Sequence, residues 1–146
     1  MSGAPIDPQL LLPQKKPMMF VREILELSES ATRCLVVPGE PPIPGYDGPE
    51  ISCEIGVEYM AQCAALASGC SFRASSAPVP DGAVVALREI VVSADYFRAH
   101  VPLRATAELS GTAGAASTFI CSLVESDTGR ELMSGKFTVM LQLESQ

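Results

Sequence analysis

Two acidic residues and an amide recur at a spacing of four residues within one apolar stretch of the chain. Glu54, Glu58 and Gln62 occupy positions i, i+4 and i+8, which places them on one stripe of a helix. A carboxyl group in an apolar pocket can hold a proton near neutral pH, because desolvation raises its pKa. Glu58, between Val57 and Tyr59, is therefore a candidate proton-transfer residue. A solvated stripe that only stabilises the start of the helix is the alternative interpretation.

The second candidate for proton transfer is His100, the only histidine in the chain. Imidazole titrates close to neutral pH, which suits it to take up and release protons. Any imidazole-dependent step within one subunit must therefore use His100. The alternative is a structural or surface histidine close to a proline, since Val101-Pro102 follows it.

Four further residues near these candidates each have two interpretations. Gly56 lacks a side chain, so a substrate can come close to a backbone N–H at the helix start. Tyr59 either lines an acyl tunnel or lies in the core. Gln62 either orients the Glu58 carboxyl group or is a plain helix-stabilising amide. Asp47 lies in a proline-rich loop and is either a solvated loop aspartate or a substitute acid.

The elements that must position these residues are one helix and several strands. A helical pattern runs from about Ser52 to Ala74, and it is rich in alanine, glycine and serine. Such a helix can be buried only if its surroundings approach closely, and a curved sheet wrapped around it satisfies this. An irregular loop precedes it, Pro38 to Pro49, because prolines and glycines interrupt regular structure there.

The remaining segments predict a single α+β domain spanning residues 1–146. Residues 1–17 contain four prolines, so we expect an irregular N-terminal segment there. Ser28-Glu29-Ser30 and Ser126 to Gly129 are predicted hairpin turns. The first strand after the helix either ends at Ser93 or continues through Tyr96 and Phe97. The predicted strands are Met18–Leu27, Ala31–Val37, Ala83–Ser93, Leu103–Gly111, Ser117–Glu125 and Glu131–Leu143.

Composition argues against several classes of function. The chain of 146 residues has ten basic and seventeen acidic side chains and a net charge of −7, whereas nucleic-acid binders need a basic surface. No segment is apolar for the ~20 residues that span a bilayer. No basic and apolar leader follows Met1. We therefore expect a cytoplasmic protein that binds neither nucleic acid nor membrane.

The five cysteines predict core packing in a reducing compartment. Their number is odd, no C-x-x-C pair occurs, and each lies among apolar residues. Because a zinc site needs paired ligands at short spacing, and the chain has one histidine, we expect no metal. No glycine-rich nucleotide motif occurs either, and we expect no cofactor.

Two segments of the chain resemble the β-hydroxyacyl-ACP dehydratases, which have the hotdog fold. The stretch Leu12 to Arg22 (LPQKKPMMFVR) resembles their leucine-proline-histidine-arginine entrance motif. The stretch Ile55 to Gln62 (IGVEYMAQ) resembles their central helix, in which a catalytic carboxylate precedes Met-Ala-Gln. The string VEYMAQ, with His100-Val101-Pro102 at the start of a strand, is most similar to the dehydratases of aryl-polyene gene clusters. The resemblance covers Leu11 to Leu143.

The chain departs from that family at two places. The entrance histidine is replaced by Gln14. The family's His-Phe-Pro-Gly loop supplies the catalytic histidine before the helix, whereas the corresponding segment here, Ile43 to Pro49, contains none. The family carboxylate is therefore present as Glu58 while its histidine partner is missing.

The resemblance implies a hotdog fold, an antiparallel sheet wrapped around one long helix, and a function in acyl-thioester chemistry. The implied reaction is elimination of water from 3-hydroxyacyl groups on acyl carrier protein, in fatty-acid or aryl-polyene type synthesis. Hotdog sites commonly lie between subunits, so His100 could reach Glu58 across a homodimer, or another hotdog dehydratase could supply a histidine in a heterodimer. The alternatives are a catalytically degenerate subunit of an active dehydratase and an acyl thioesterase.

Overall fold

The computed structural model describes residues 19–28, 30–74 and 81–142, without the side chains of residues 69–74, 81–83 and 141–142. The predicted irregular segment 1–17, including Gln14, and the side chain of Cys70 lie outside this part. The elements are β1 (Val21–Leu27), β2 (Ala31–Val36), β3 (Glu50–Ser52), α1 (Ile55–Ala74), β4 (Asp81–Val92), β5 (Tyr96–Arg98), β6 (Leu103–Ala113), β7 (Ala116–Glu125) and β8 (Glu131–Gln142).

Six strands form one antiparallel sheet in the order β1-β2-β6-β7-β8-β4. Both predicted hairpins are confirmed. The β1–β2 turn is closed by the Ser28 N–H, which donates to the Ala31 carbonyl at 2.9 Å. The β7–β8 turn is closed by the Gly129 N–H, which donates to the Glu125 carbonyl at 2.8 Å. Gly129 has a φ of 75°, which glycine adopts without strain.

Helix α1 contacts all six strands of this sheet, which confirms the predicted α+β arrangement. Its buried face combines four large side chains with small ones, so the sheet can come close along most of its length. The large side chains Tyr59, Met60, Gln62 and Leu66 and the small residues Gly56, Cys63, Ala64 and Ala67 are all buried.

Gly56 lies at a close contact between the helix and the strands that pack against it. A Cβ at this position would lie 2.5 Å from the Met133 sulfur, 2.9 Å from Phe97 Cζ and 3.0 Å from Leu123 Cδ1. Carbon atoms in van der Waals contact lie about 3.5–4.0 Å apart. Any larger residue at position 56 therefore forces the side chains of Met133, Phe97 and Leu123, or the helix itself, to move.

The structure corrects the prediction on both sides of the helix. Residues Glu50–Ser52 form strand β3, so the helix begins at Ile55 rather than near Ser52. Tyr96–Arg98 do not continue β4 but form a separate strand, β5, which pairs with β3 in a second, two-stranded sheet. Strand β4 in turn begins at Asp81, two residues before the predicted Ala83. These short segments have no local pattern that predicts a strand. Their backbone hydrogen bonds come from pairing with segments far away in the sequence.

Four of the five cysteines have described side chains, and all four are buried free thiols: Cys34, Cys53, Cys63 and Cys121. Core packing is thus confirmed for them. The Cys63 thiol lies 3.5 Å from the carbonyl oxygens of both Thr32 and Ala105, between the helix and the sheet. Burial raises the pKa of Cys121 to about 12, so this thiol is unreactive at neutral pH.

Replacing Gly56 by valine is expected to lower the free energy of unfolding by about 3 kcal/mol, since overpacking a dense core costs about 1–3 kcal/mol or more. Urea unfolding measures the change. Gly111→Val is the control, because a Cβ there meets nothing within 4 Å. Equal stability of the two variants would contradict the close approach at Gly56.

Candidate active site

The polar stripe of α1 runs from the surface into the core. Glu54 is exposed, Glu58 is half-buried and Gln62 is completely buried. A solvated stripe therefore describes only Glu54, whose carboxylate accepts a 3.2 Å hydrogen bond from the Tyr46 hydroxyl. Glu58 lies at the boundary, where a carboxyl group is partly desolvated and still accessible.

Burial raises the pKa of Glu58 above its ordinary value, and a hydrogen bond from Gln62 lowers it by a smaller amount. The first effect arises because burial removes water from the carboxylate and so disfavours its charged form. The second arises because a donor stabilises the ionised form. The net upward shift makes Glu58 able to hold and release a proton closer to neutral pH than a solvated glutamate.

Gln62 links the helix to the segment before β1. Its Oε1 accepts a hydrogen bond of 2.8 Å from the backbone N–H of Phe20, 42 residues away in sequence. The same side chain donates to Glu58, one turn earlier on the helix. No local pattern singles out Phe20, since every residue other than proline has a backbone N–H.

Tyr59 is a core residue with 2% of its surface exposed. Its ring lies edge-on to Phe20, with centroids 5.3 Å apart, and stacks on Phe97 at 6.1 Å. Burial raises its pKa strongly, so the hydroxyl stays protonated. These contacts favour the core interpretation, and a role in lining an acyl tunnel stays a prediction.

Close packing explains why glycine occupies position 56, because a Cβ there would meet Met133, Phe97 and Leu123. Its N–H donates to the Cys53 carbonyl at 2.9 Å and is occupied in this structure. Close approach of a substrate at Gly56 therefore stays a prediction.

His100 lies at the surface, with 69% of its side chain exposed, and has a φ of 65°. Its Nδ1 is 2.8 Å from Oε2 of Glu40, and its backbone N–H donates to the Pro38 carbonyl at 2.9 Å. Within the described residues, the contacts of the imidazole are with this loop and none is with Glu58. The structure of one chain thus does not bring the two candidate proton-transfer residues together.

Glu40 joins His100 to Arg22, whose guanidinium lies 2.6 Å from Glu40 Oε1. Beside this pair is a cavity of about 250 Å³ between the start of β1 and the loop, lined by Met19, Phe20, Val21, Arg22, Glu40 and Pro41. Sequence reasoning missed Arg22 and Glu40 as a pair, because a surface ion pair across 18 residues has no local pattern. Glu58 does not line this cavity; Phe20 connects the two through Gln62.

The long loop between β2 and β3 is irregular, as predicted, and Asp47 lies exposed on it. Both ends of this loop are hydrogen-bonded to the segment after β5. The Pro38 carbonyl accepts from the His100 N–H, and the Pro49 carbonyl accepts from the Ala99 N–H at 3.0 Å. A substitute acid role for Asp47 stays a prediction. In the described ranges no three potential metal ligands lie close enough to hold an ion, and no helix there has the length and apolarity to span a bilayer.

Glu58→Gln is expected to stabilise the protein at neutral pH, raising the Tm by a few degrees. Because the folded-state pKa of Glu58 is raised, the folded wild type binds the proton more tightly than the unfolded chain. Wild-type stability therefore falls as pH rises from about 4.3 through the folded-state pKa. Thermal unfolding from pH 4 to pH 8 measures the difference between the two proteins, which should vanish at the acid end. Glu54→Gln, at an exposed carboxylate, is the control, and an identical pH dependence for all three proteins would contradict the burial of Glu58.

Comparisons with known proteins agree with this architecture. A chain of the dehydratase heterocomplex ApeI:P from Xenorhabdus doucetiae superposes with a TM-score of 0.85 at 16% identity, covering 95% of this chain and 93% of that one. A hypothetical thioesterase from Streptococcus pneumoniae, solved with coenzyme A, superposes with a TM-score of 0.62 at 11% identity, covering 85% and 88%. For zebrafish thioesterase superfamily member 2 the TM-score is 0.64 at 15% identity, covering 82% and 80%.

These neighbours confirm the predicted hotdog fold. No curated protein sequence matches the chain significantly. The sequence model of the ApeP-like family, described as ApeP dehydratase, matches residues 6–146. Since this match spans nearly the whole domain, the chain belongs to the ApeP-like dehydratase family.

Proposed function

We propose that this protein acts in dehydration of 3-hydroxyacyl thioesters carried by acyl carrier protein, in fatty-acid or aryl-polyene type synthesis. The observation that carries the proposal is Glu58, a half-buried carboxyl group of raised pKa that is hydrogen-bonded by Gln62 at the start of the central helix. Membership of a dehydratase family favours a lyase over other uses of such a group.

Dehydration moves two protons. The Cα–H bond breaks, its electron pair forms the Cα=Cβ bond, and the hydroxyl leaves Cβ with a proton as water. The reaction needs a base, an acid and a positive electrostatic environment for the thioester oxygen. Glu58 performs one proton transfer, and the positive end of the α1 dipole lies beside it.

The second proton-transfer group is an imidazole from His100 of a partner copy or from a different hotdog subunit. Glu40 at His100 Nδ1 supports the first source, since a carboxylate at Nδ1 favours the N–H there and leaves Nε2 free to accept a proton. The exposure of the ring supports contact with another subunit. The absence of histidine from the segment 43–49 supports the second source.

A specific observation favours one alternative, a catalytically degenerate subunit that pairs with an active dehydratase. Within the described part of the chain, Glu58 and His100 make separate contacts, so one subunit does not assemble a complete pair. An acyl thioesterase is the other alternative, since thioesterases share the fold. Its product is a free acid rather than an enoyl thioester.

The surface proposed to bind a second hotdog subunit is strand β4, at one edge of the main sheet. It exposes six large apolar side chains: Val84, Val85, Leu87, Ile90, Val91 and Val92. On the opposite edge, β1, the one exposed large apolar side chain is Leu25, beside the exposed charges of Arg22, Glu23 and Glu26, which protect an edge from pairing. The heterocomplex described for the Xenorhabdus protein supports a hotdog partner, and a homodimer uses the same edge.

We also propose a cytoplasmic location, with acyl carrier protein as the second partner. Four described cysteines are free thiols, which is usual in a reducing compartment. The net charge of −7 disfavours nucleic acid as a partner.

The activity test offers a 3-hydroxyacyl-carrier substrate to the protein alone and to its mixture with a hotdog dehydratase from the same source, and detects the product by mass spectrometry. Enoyl product that falls by about 10²–10⁴-fold in Glu58→Gln identifies Glu58 as the proton-transfer residue. His100→Asn tests the imidazole, because asparagine tolerates the positive φ of that position.

Other products separate the alternatives. Enoyl product that forms only in the mixture and is unchanged by Glu58→Gln means a degenerate subunit. Free acid means a thioesterase. Either result overturns the proposed role of Glu58 in dehydration.

Val85→Lys should abolish pairing through β4, because a charge on an edge strand opposes strand addition. Size-exclusion chromatography with light scattering, on the protein alone and in the mixture, measures the mass. Ile120→Lys is the matched control, since Ile120 is also exposed but lies on β7 inside the sheet. A Val85→Lys protein that still forms the wild-type assembly would exclude β4 as the interface.

A further inference from the structure

Gln62 is a buried amide whose two ends have different partners. It is the residue one turn after Glu58 on α1, and none of its surface is exposed. Its Oε1 accepts the 2.8 Å hydrogen bond from the Phe20 N–H. Because a backbone N–H only donates, this contact decides which end of the amide is the oxygen.

A flipped amide is strongly disfavoured at this position. The flip turns the NH₂ group toward the Phe20 N–H, so that two donors face each other in a site without solvent. Leaving a buried donor unpaired costs about 1–3 kcal/mol. The NH₂ group of Gln62 therefore points the other way, and helical side chains lean toward the N-terminus, where Glu58 lies.

We propose that Gln62 is the positioning residue of the Glu58 site, and that the Phe20 N–H fixes its amide so that one Glu58 oxygen accepts a hydrogen bond and the other carries the transferred proton. The role in turnover rests on the proposed function. The positioning itself is a property of the folded protein without substrate.

This arrangement also affects the pKa of the Glu58 carboxyl group. Burial raises the pKa of Glu58 and the Gln62 hydrogen bond lowers it. No charged side chain of the described residues contributes to the shift, so Gln62 is the polar group that opposes desolvation. The residue before β1 thus influences a proton-transfer group on the helix through two consecutive hydrogen bonds.

Two substitutions test the two ends of the amide separately. Gln62→Met removes both hydrogen bonds at similar volume. Gln62→Glu keeps an oxygen for the Phe20 N–H and loses the NH₂ donor to Glu58. Carbon-13 NMR titration of the Glu58 carboxyl carbon, assigned with Glu58→Gln, reads the pKa; amide hydrogen exchange of Phe20 reads the other end.

Gln62→Met is expected to raise the pKa of Glu58 and to speed amide exchange at Phe20. Gln62→Glu is expected to raise the apparent pKa of the coupled carboxyl pair while Phe20 stays protected. In the enoyl assay, Gln62→Met should lose activity on the order of 100-fold through misplacement of Glu58, with its pH profile moved upward. Cys63→Ala, a change at the next buried position of the helix, controls for core disturbance and should leave the Glu58 pKa unchanged.

The outcomes separate this inference from the proposed function. An unchanged Glu58 pKa in both Gln62 variants, or protected Phe20 in Gln62→Met, overturns the positioning role even if the wild type dehydrates its substrate. The expected NMR shifts in a protein that forms no enoyl product, either alone or mixed with the hotdog dehydratase, support the positioning role and overturn the function.

Discussion

The contact between the start of α1 and the sheet is the constraint on which the rest of the domain depends. One helix contacts six strands, and small residues on its buried face let the strands come close to it. Gly56 is the extreme case, with three core side chains filling the space of its missing Cβ. Because this contact holds the start of the helix against Phe97 and Leu123, Glu58 in the first turn is half-buried and Gln62, one turn later, lies in the core. The desolvation of Glu58 is therefore a consequence of packing.

Local sequence patterns predicted the elements that have a clear hydrophobic period or turn-forming residues at their ends. The small-residue helix, both hairpin turns, and the proline-rich loop before the helix follow from residue types alone. The short strands β3 and β5 were missed because three residues each carry no period, and their pairing joins segments far apart in the chain. The same limit applies to the site. The spacing of Glu58 and Gln62 is visible in the sequence, whereas the Phe20 N–H that orients Gln62 lies 42 residues away.

The two candidate proton-transfer residues have contrasting environments. Glu58 is partly desolvated, while His100 is an exposed ring between a loop carboxylate and solvent. Arg22, Glu40 and His100 form one surface network that connects β1, the long loop and the segment after β5. This network lies beside the cavity that Arg22 and Glu40 help to line. The edge β4 exposes large apolar side chains, whereas the edge β1 exposes several charged ones, and the proposed association uses β4.

The most direct measurement is a crystal structure of the protein with its hotdog partner and a stable analogue of a carrier-linked 3-hydroxyacyl thioester. If Glu58 acts on the substrate, one of its oxygens will lie within about 2.6–3.2 Å of the 3-hydroxyl group, or of the proton-bearing carbon through a single water, while Gln62 holds the other oxygen. An analogue bound in a site whose carboxylate belongs to the partner, with Glu58 out of contact, would contradict the account.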